Sequence, residues 1–304
     1  MSVLQEFAPD VARLQILFVN VYFVGAPGAY WVLVDTGVPG FAEKIRAAAR
    51  KRFGERPPQA IVLTHGHYDH AGNARELAEA WDVPIYAHSL ELPFLDGRED
   101  YPPRDPTVGG AIAFLSRFMS SKGFDLGPHL KVLSGDDEIE LLELPGWKIF
   151  HTPGHSPGHV SIFRERASTL LAGDAFATMN MDSWLGMTTM RQDLGRAGTP
   201  FNCNWQATKH SVEKLANLRA THIGCGHGHP MTTQEYSLLV DDLEIFAEEF
   251  EIPSHGRYAD PAAHTDERGV LFVPPPAADP LVPVAAGVGV AAAALLLLKY
   301  RRRG

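Results

Sequence analysis
Residues Thr64-His65-Gly66-His67-Tyr68-Asp69-His70 place three imidazoles and one carboxylate between positions 65 and 70. Neutral imidazole nitrogens and carboxylate oxygens are the donors that zinc, iron and manganese take. His65 and His67 are two residues apart and can converge on one ion, while Asp69 and His70 can face a second ion beside it. Further along, His151-Thr152-Pro153-Gly154-His155-Ser156-Pro157-Gly158-His159 carries three more histidines. Its prolines and glycines fix a tight loop, so an imidazole there arrives pre-positioned at low entropic cost. Gly173-Asp174 ends an apolar run, and Gly226-His227-Gly228-His229-Pro230 supplies the last histidines. No G-x-S-x-G nucleophile elbow accompanies these groups. The chemistry they suit is metal-assisted, with no serine or cysteine nucleophile required.

The elements that must position these groups follow from apolar periodicity. Residues 60–63 read as a buried strand and residues 71–80 as a helix. The first cluster therefore lies on a strand-to-helix loop, where α/β folds place their chemistry. Residues 14–24 and 30–34 read as the two strands of an opening hairpin around a turn at 25–28. Amphipathic helices are expected at 41–52 and 207–218, with a final one within 233–250. Further strands are expected at 83–88, 131–133, 139–141, 147–150, 160–163, 169–172 and 221–225. This reading gives a mixed α/β fold with loop-borne ligands. His88, at a strand end, and His151 are assigned to packing rather than to an ion. Residues 91–127 interrupt the alternation with four prolines and an apolar segment at 110–119, the pattern of a lid or substrate wall. Residues 175–204 read as irregular, with Phe176, Trp184 and Met187 as candidates to line an apolar pocket, joined by Met190 and Phe201.

The chain has 304 residues, of which 45% are hydrophobic and 21% charged, enough for one large domain with an appendage. A net charge of −9 argues against a nucleic-acid partner held by phosphate contacts. It leaves room for a small anionic substrate at a metal. Cys203 and Cys225 cannot make a disulfide framework and read as free buried thiols. Residues 1–250 are expected to form the catalytic domain, and 251–280 a Pro/Ala-rich extension or linker. The N-terminus shows no signal peptide. Residues 281–298 are 18 uncharged positions followed by Lys299, Arg301, Arg302 and Arg303. That length meets the lower end of the roughly 17–25 residues that span a bilayer. Residues 281–304 are therefore expected to be a C-terminal transmembrane or membrane-anchoring helix with a basic tail. The protein is accordingly expected to be membrane-associated, with a cytoplasmic catalytic domain; a homodimer is left open.

The order H-x-H-x-D-H, T-P-G-H-S-P-G-H, G-D and G-H-G-x-P resembles the metallo-β-lactamase superfamily over residues of about 14 to 235. The resemblance implies an αββα sandwich of two mostly antiparallel sheets, helices outside and metals at one edge. It implies two divalent ions, zinc first and manganese or iron(II) as alternatives. His65, His67 and His155 would hold one, Asp69, His70 and His227 the other, and Asp174 would bridge both beside a nucleophilic hydroxide. Asp69 would also move protons. Asp35, His159 and His229 would stand behind the ligands. The implied activity is hydrolysis of a small ester, lactone or thioester. A mononuclear iron persulfide dioxygenase and a membrane-tethered metal-binding module without catalysis are the alternatives. The tail after His227 is short and acidic where glyoxalase-II-like thioesterases carry a basic helical domain. Ala177 stands where lactonases of the superfamily often have a tyrosine. Asp174 argues against the β-lactamase type that lacks this aspartate.

Overall fold
The computed structural model describes residues 4–133, 138–140 and 145–279. Alternating apolar residues build two sheets. The first runs β1 (Gln5–Ala8), β2 (Val11–Ile16), β3 (Val19–Val24), β4 (Val32–Val34), β5 (Ala60–Val62), β6 (Ile85–His88) and β7 (Leu130–Leu133), neighbours in space as in sequence. The second contains β8 (Glu138–Glu140), β9 (Lys148–His151), β10 (Val160–Arg164), β11 (Thr169–Gly173), β14 (His222–Cys225) and β15 (Met231–Thr232). It is ordered β15-β14-β11-β10-β9-β8. Short hairpins are formed by β12 (Ala177–Met179) with β13 (Gln192–Gly195), and by β16 (His264–Asp266) with β17 (Gly269–Phe272). The helices are α1 (Ala42–Phe53), α2 (Tyr68–Ala71), α3 (Ala74–Trp81), α4 (Leu92–Leu95), α5 (Ala111–Ser116), α6 (Trp184–Thr189), α7 (Trp205–Ala216) and α8 (Leu239–Glu248).

Side chains alternate between the two faces of a strand, and here each face meets a different layer. In β3, Val19, Val21 and Phe23 join Ile45 of α1 and Leu77 of α3. Tyr22 and Val24, on the opposite face, join Ile149, Ile162 and Leu171 of the second sheet. The outer face of that sheet contributes Phe163 and Leu170, which pack with Val212 of α7 and Leu243 of α8. The result is four layers, helix–sheet–sheet–helix. Cys203 and Cys225 are free and buried.

The structure corrects the sequence reading at several points. The first sheet is not mostly antiparallel: β4, β5, β6 and β7 run parallel. Helical crossovers make this possible, because a parallel pair cannot be closed by a tight turn; α1 links β4 to β5, and α2 with α3 link β5 to β6. Residues 14–24 are not one strand. The chain reverses at Leu17-Phe18, with Leu17 at φ 57°, and no glycine, proline or asparagine marks that turn in the sequence. Residues 175–204 are more regular than expected, holding β12, α6 and β13. The Pro-rich stretch after 250 lies on the domain: Tyr258 is buried and its hydroxyl donates to Pro103 O at 2.5 Å.

The expected transmembrane helix is not found: among the described residues no helix is long and apolar enough to cross a membrane. The longest, α1 and α7, have 12 residues. At about 1.5 Å per residue they reach roughly 18 Å, short of a hydrocarbon core of about 30 Å. Residues 281–304, on which that expectation fell, lie outside the described residues.

Ile162 is 1% exposed between the two sheets. Replacing it with alanine is expected to lower unfolding free energy by about 2–5 kcal/mol, read from chemical denaturation. A change near zero would contradict the inter-sheet core described here.

Candidate metal centre
Four loops at one edge of the sandwich deliver the polar groups. The first leaves β5 through Thr64 and enters α2, carrying His65, His67, Asp69 and His70. The loop between β9 and β10 brings His155, the end of β11 brings Asp174, and the end of β14 brings His227. Their ligand atoms form three overlapping groups: His65, His67 and His155; His65, His70 and Asp174; and Asp69, His70 and His227. Within each group the atoms lie within 4.8 Å of one another. Asp174 faces the histidines of both ends. Its Oδ2 is 3.6 Å from His155 Nε2 and 3.2 Å from His227 Nε2, and its Oδ1 is 3.5 Å from His70 Nε2.

Three of the rings are turned by a group behind them. His70 Nδ1 donates to Asp35 Oδ2 at 2.8 Å, which leaves Nε2 aimed inward. The same carboxylate accepts from Thr64 N–H and Thr64 Oγ1–H, both at 2.8 Å, so Asp35 ties the first loop to the end of β4. His155 Nδ1 donates to Asn202 Oδ1 at 2.9 Å. His227 Nδ1 donates to Phe18 O at 3.0 Å, and the two rings stack with centroids 6.0 Å apart. His159 does not face the cluster. Its Nε2 accepts from Asp174 N–H at 2.8 Å and its Nδ1 donates to Thr152 O at 3.0 Å. Burial, with His155 adding to it, pushes the His159 pKa down to about 3, so the neutral ring can keep accepting.

The donor set fits a divalent cation pair. His65 Nε2, His70 Nε2 and Asp174 Oδ1 are buried with no hydrogen-bond partner. Orphaned atoms of this kind cost free energy, about 1–3 kcal/mol each, unless something satisfies them. Burial and then neighbouring histidines hold the pKa of His65 and of His67 well below the usual value. That of His155 is also lowered, chiefly by burial. All three are thereby kept in the neutral form a metal requires. At the other end burial opposes charge on His70 and His227, but Asp174 and its fellow carboxylates outweigh it and raise both.

The sequence profile of the metallo-beta-lactamase superfamily matches residues 14–227. The chain belongs to the metallo-beta-lactamase superfamily. A curated relative, the probable metallo-hydrolase YflN of Bacillus subtilis, is 38% identical over 242 residues, 78% of this chain and 91% of its own. Two crystal structures share the fold at lower identity. The metallo-beta-lactamase family protein TTHA1429 of Thermus thermophilus is 22% identical, covering 81% of this chain and 79% of its own, with a TM-score of 0.51. The metallo-beta-lactamase SMB-1 is 16% identical, covering 80% and 88%, with a TM-score of 0.52.

Against the superfamily pattern, three expected roles fall away. His229 bonds to none of the grouped histidines or carboxylates among the described contacts: its Nδ1 lies 2.9 Å from Arg13 Nη1. Phe176 is fully buried in the core under α8, with its ring 6.3 Å from Phe246, and does not line the cavity. Trp184 is 54% exposed and meets Phe114 edge-on outside the cavity. Met187 does line it. His88 stacks on His151 at 4.1 Å, and its Nδ1 accepts from Leu90 N–H at 3.3 Å.

Sequence reasoning missed Glu91, Asn20, Asn202 and Phe18. Glu91 is fully buried. Its Oε2 accepts from Gly66 N–H at 2.9 Å and from the Tyr101 hydroxyl. Its Oε1 accepts from Ser156 Oγ at 2.6 Å and Gly158 N–H at 2.7 Å. One carboxylate therefore joins the loop of His65 and His67 to the loop of His155. Burial pushes its pKa up, against the pull of these four donors. Asn20 Nδ2 donates to Cys225 O at 2.9 Å and Gly228 O at 2.7 Å, fastening β3 to the loop of His227. Polar residues inside strand and loop runs carry no sequence signal of such distant partners.

Two substitutions test this framework. Glu91→Gln turns an amide NH2 toward one of the two backbone N–H donors in either orientation. It is expected to cost about 1–3 kcal/mol of stability in denaturant titrations at pH 7. At Gly226 an added Cβ would lie 2.0 Å from Asp174 Oδ1 and 2.6 Å from His70 Cε1. Gly226→Ala is expected to lower bound metal per chain while the far-ultraviolet circular dichroism is retained. Full metal content in that variant would contradict the placement of Asp174.

Proposed function
We propose that the protein is a metal-dependent hydrolase of a small ester, lactone or thioester. The observation that carries this reading is Asp174, whose two oxygens face His155 at one end of the cluster and His70 and His227 at the other. A carboxylate so placed suits two cations held side by side. His65, His67 and His155 are assigned to one, Asp69, His70 and His227 to the other, and Asp174 to both. Zinc suits this nitrogen-rich set; manganese and iron(II) take the same donors. The name of YflN, a probable metallo-hydrolase, points the same way.

The chemistry such a pair supplies is a lowered pKa for water and polarisation of a carbonyl. The chain's own groups do the rest. Asp35, Asn202 and the carbonyl of Phe18 hold three imidazoles in the tautomer that presents Nε2 inward. Asp69 lines the cavity over the cluster, and its Oδ2 is 3.5 Å from His227 Nε2. Its carboxylate is placed to take a proton from the attacking water and return it to the leaving group.

Elemental analysis of the purified protein is expected to give two zinc, manganese or iron ions per chain, with turnover on a panel of esters, lactones and thioesters. Asp69→Asn is expected to reduce kcat by about a hundredfold or more. A fully loaded protein that turns over none of the three classes would refute the reading.

A further inference from the structure
The cavity over the cluster, about 220 Å³, has a polar floor and an apolar wall. The floor is His67, Asp69, His155, Asp174 and His227. Five of the chain's seven methionines stand in the wall: Met119, Met179, Met181, Met187 and Met190. They come from separate elements. Met179 ends β12, Met187 lies on α6, Met190 caps that helix, and Met119 follows α5, which adds Ile112. No lysine or arginine lines the cavity among the described residues. The nearby cations Arg13 and Arg196 are engaged elsewhere. Arg13 Nη2 donates to Gln15 Oε1 at 2.5 Å, and Arg196 Nη2 donates to Asp182 Oδ2 at 2.8 Å. The charges that do face the cavity are the carboxylates of Asp69 and Asp174.

Two consequences follow from this lining. A carboxylate or phosphate on the part of the substrate away from the scissile bond would lose its water and gain no cation, a costly exchange. A neutral chain would bury its methylenes at about 0.8 kcal/mol each, close to fourfold in binding per methylene. Methionine side chains are unbranched and polarisable, so they re-pack around chains of differing shape rather than fix one rigid outline. We propose that the substrate carries a linear, neutral, apolar acyl chain that lies along the methionine wall, with its carbonyl over the cluster. This rests on the hydrolase reading above and names the substrate within it.

The test uses the metal-loaded full-length protein and p-nitrophenyl esters of acetate, butyrate, hexanoate and octanoate. A hemi-ester with a terminal carboxylate in place of the last methyl serves as the charged counterpart. Between acetate and hexanoate kcat/KM is expected to rise about fourfold per methylene. The charged counterpart is expected to be at least tenfold poorer than its neutral match. Met187→Lys is expected to reduce the hexanoate-to-acetate ratio of kcat/KM at least tenfold. Binding of 2-decanone, a neutral ketone that cannot be hydrolysed, is followed by calorimetry as a readout independent of turnover, and Met187→Lys is expected to weaken it. Chain-independent kcat/KM, or a charged ester as good as its neutral match, would overturn the proposal. If no ester is hydrolysed, the ketone decides. Binding that weakens in Met187→Lys supports the apolar chain site, and the hydrolase reading then falls only if lactones and thioesters fail as well; no binding, or binding that Met187→Lys leaves unchanged, overturns the chain site.

Discussion
The structure is organised around one electrostatic problem. Five imidazoles and two carboxylates are drawn together at one edge of a sandwich, and six of these seven groups are buried. Unpaired polar groups are costly there, and a low local dielectric strengthens every attraction and repulsion among them. Left alone, rings would turn to bond with one another, as His67 Nδ1 and His155 Nε2 do at 2.9 Å. An outer layer of hydrogen bonds opposes this: Asp35 holds His70, Asn202 holds His155, the Phe18 carbonyl holds His227, and His159 holds the backbone of Asp174.

That outer layer explains much of the surrounding fold. Asp35 directly follows β4 and reaches both Thr64 and His70. The reversal at Leu17-Phe18 puts a bulky residue in a left-handed conformation, a strained arrangement in a hairpin. It is held there because the next carbonyl orients His227 and because Asn20 is bonded to the strand end before it. Glu91, at the start of the long insertion, binds two ligand loops at once, so the insertion is part of the site's scaffold as well as its wall.

Polar floor and apolar wall are built by different parts of the chain. The floor comes from loops and a short helix at the strand ends of the sandwich, tied down by hydrogen bonds from Asp35, Glu91 and Asn202. The wall comes from α5, β12 and α6, in the two stretches whose sequence departs most from simple alternation. Rigid support is thus given to the groups whose geometry governs chemistry, and adaptable methionines to the surface that meets the rest of the substrate.

The sequence by itself determined which groups gather and on what kind of loop. His155, Asp174 and His227 were picked out by the resemblance of their loops to the superfamily's motifs, while His65, His67, Asp69 and His70 could be singled out because density of metal donors is a local property. Strands and helices of the sandwich were legible for the same reason, since burial on one face writes a period into the chain. Tertiary structure alone decided the rest. His227 and His229 have the same type and nearly the same neighbours, yet one faces the cluster and the other Arg13. Phe176 and Met187 are both apolar, yet one fills the core and the other the cavity. Glu91 reads only as the first residue of the irregular 91–127 stretch until the loops of Gly66 and Gly158 are folded against it. Each of these roles depends on a partner far away along the chain, and contact between distant segments leaves no mark on local pattern.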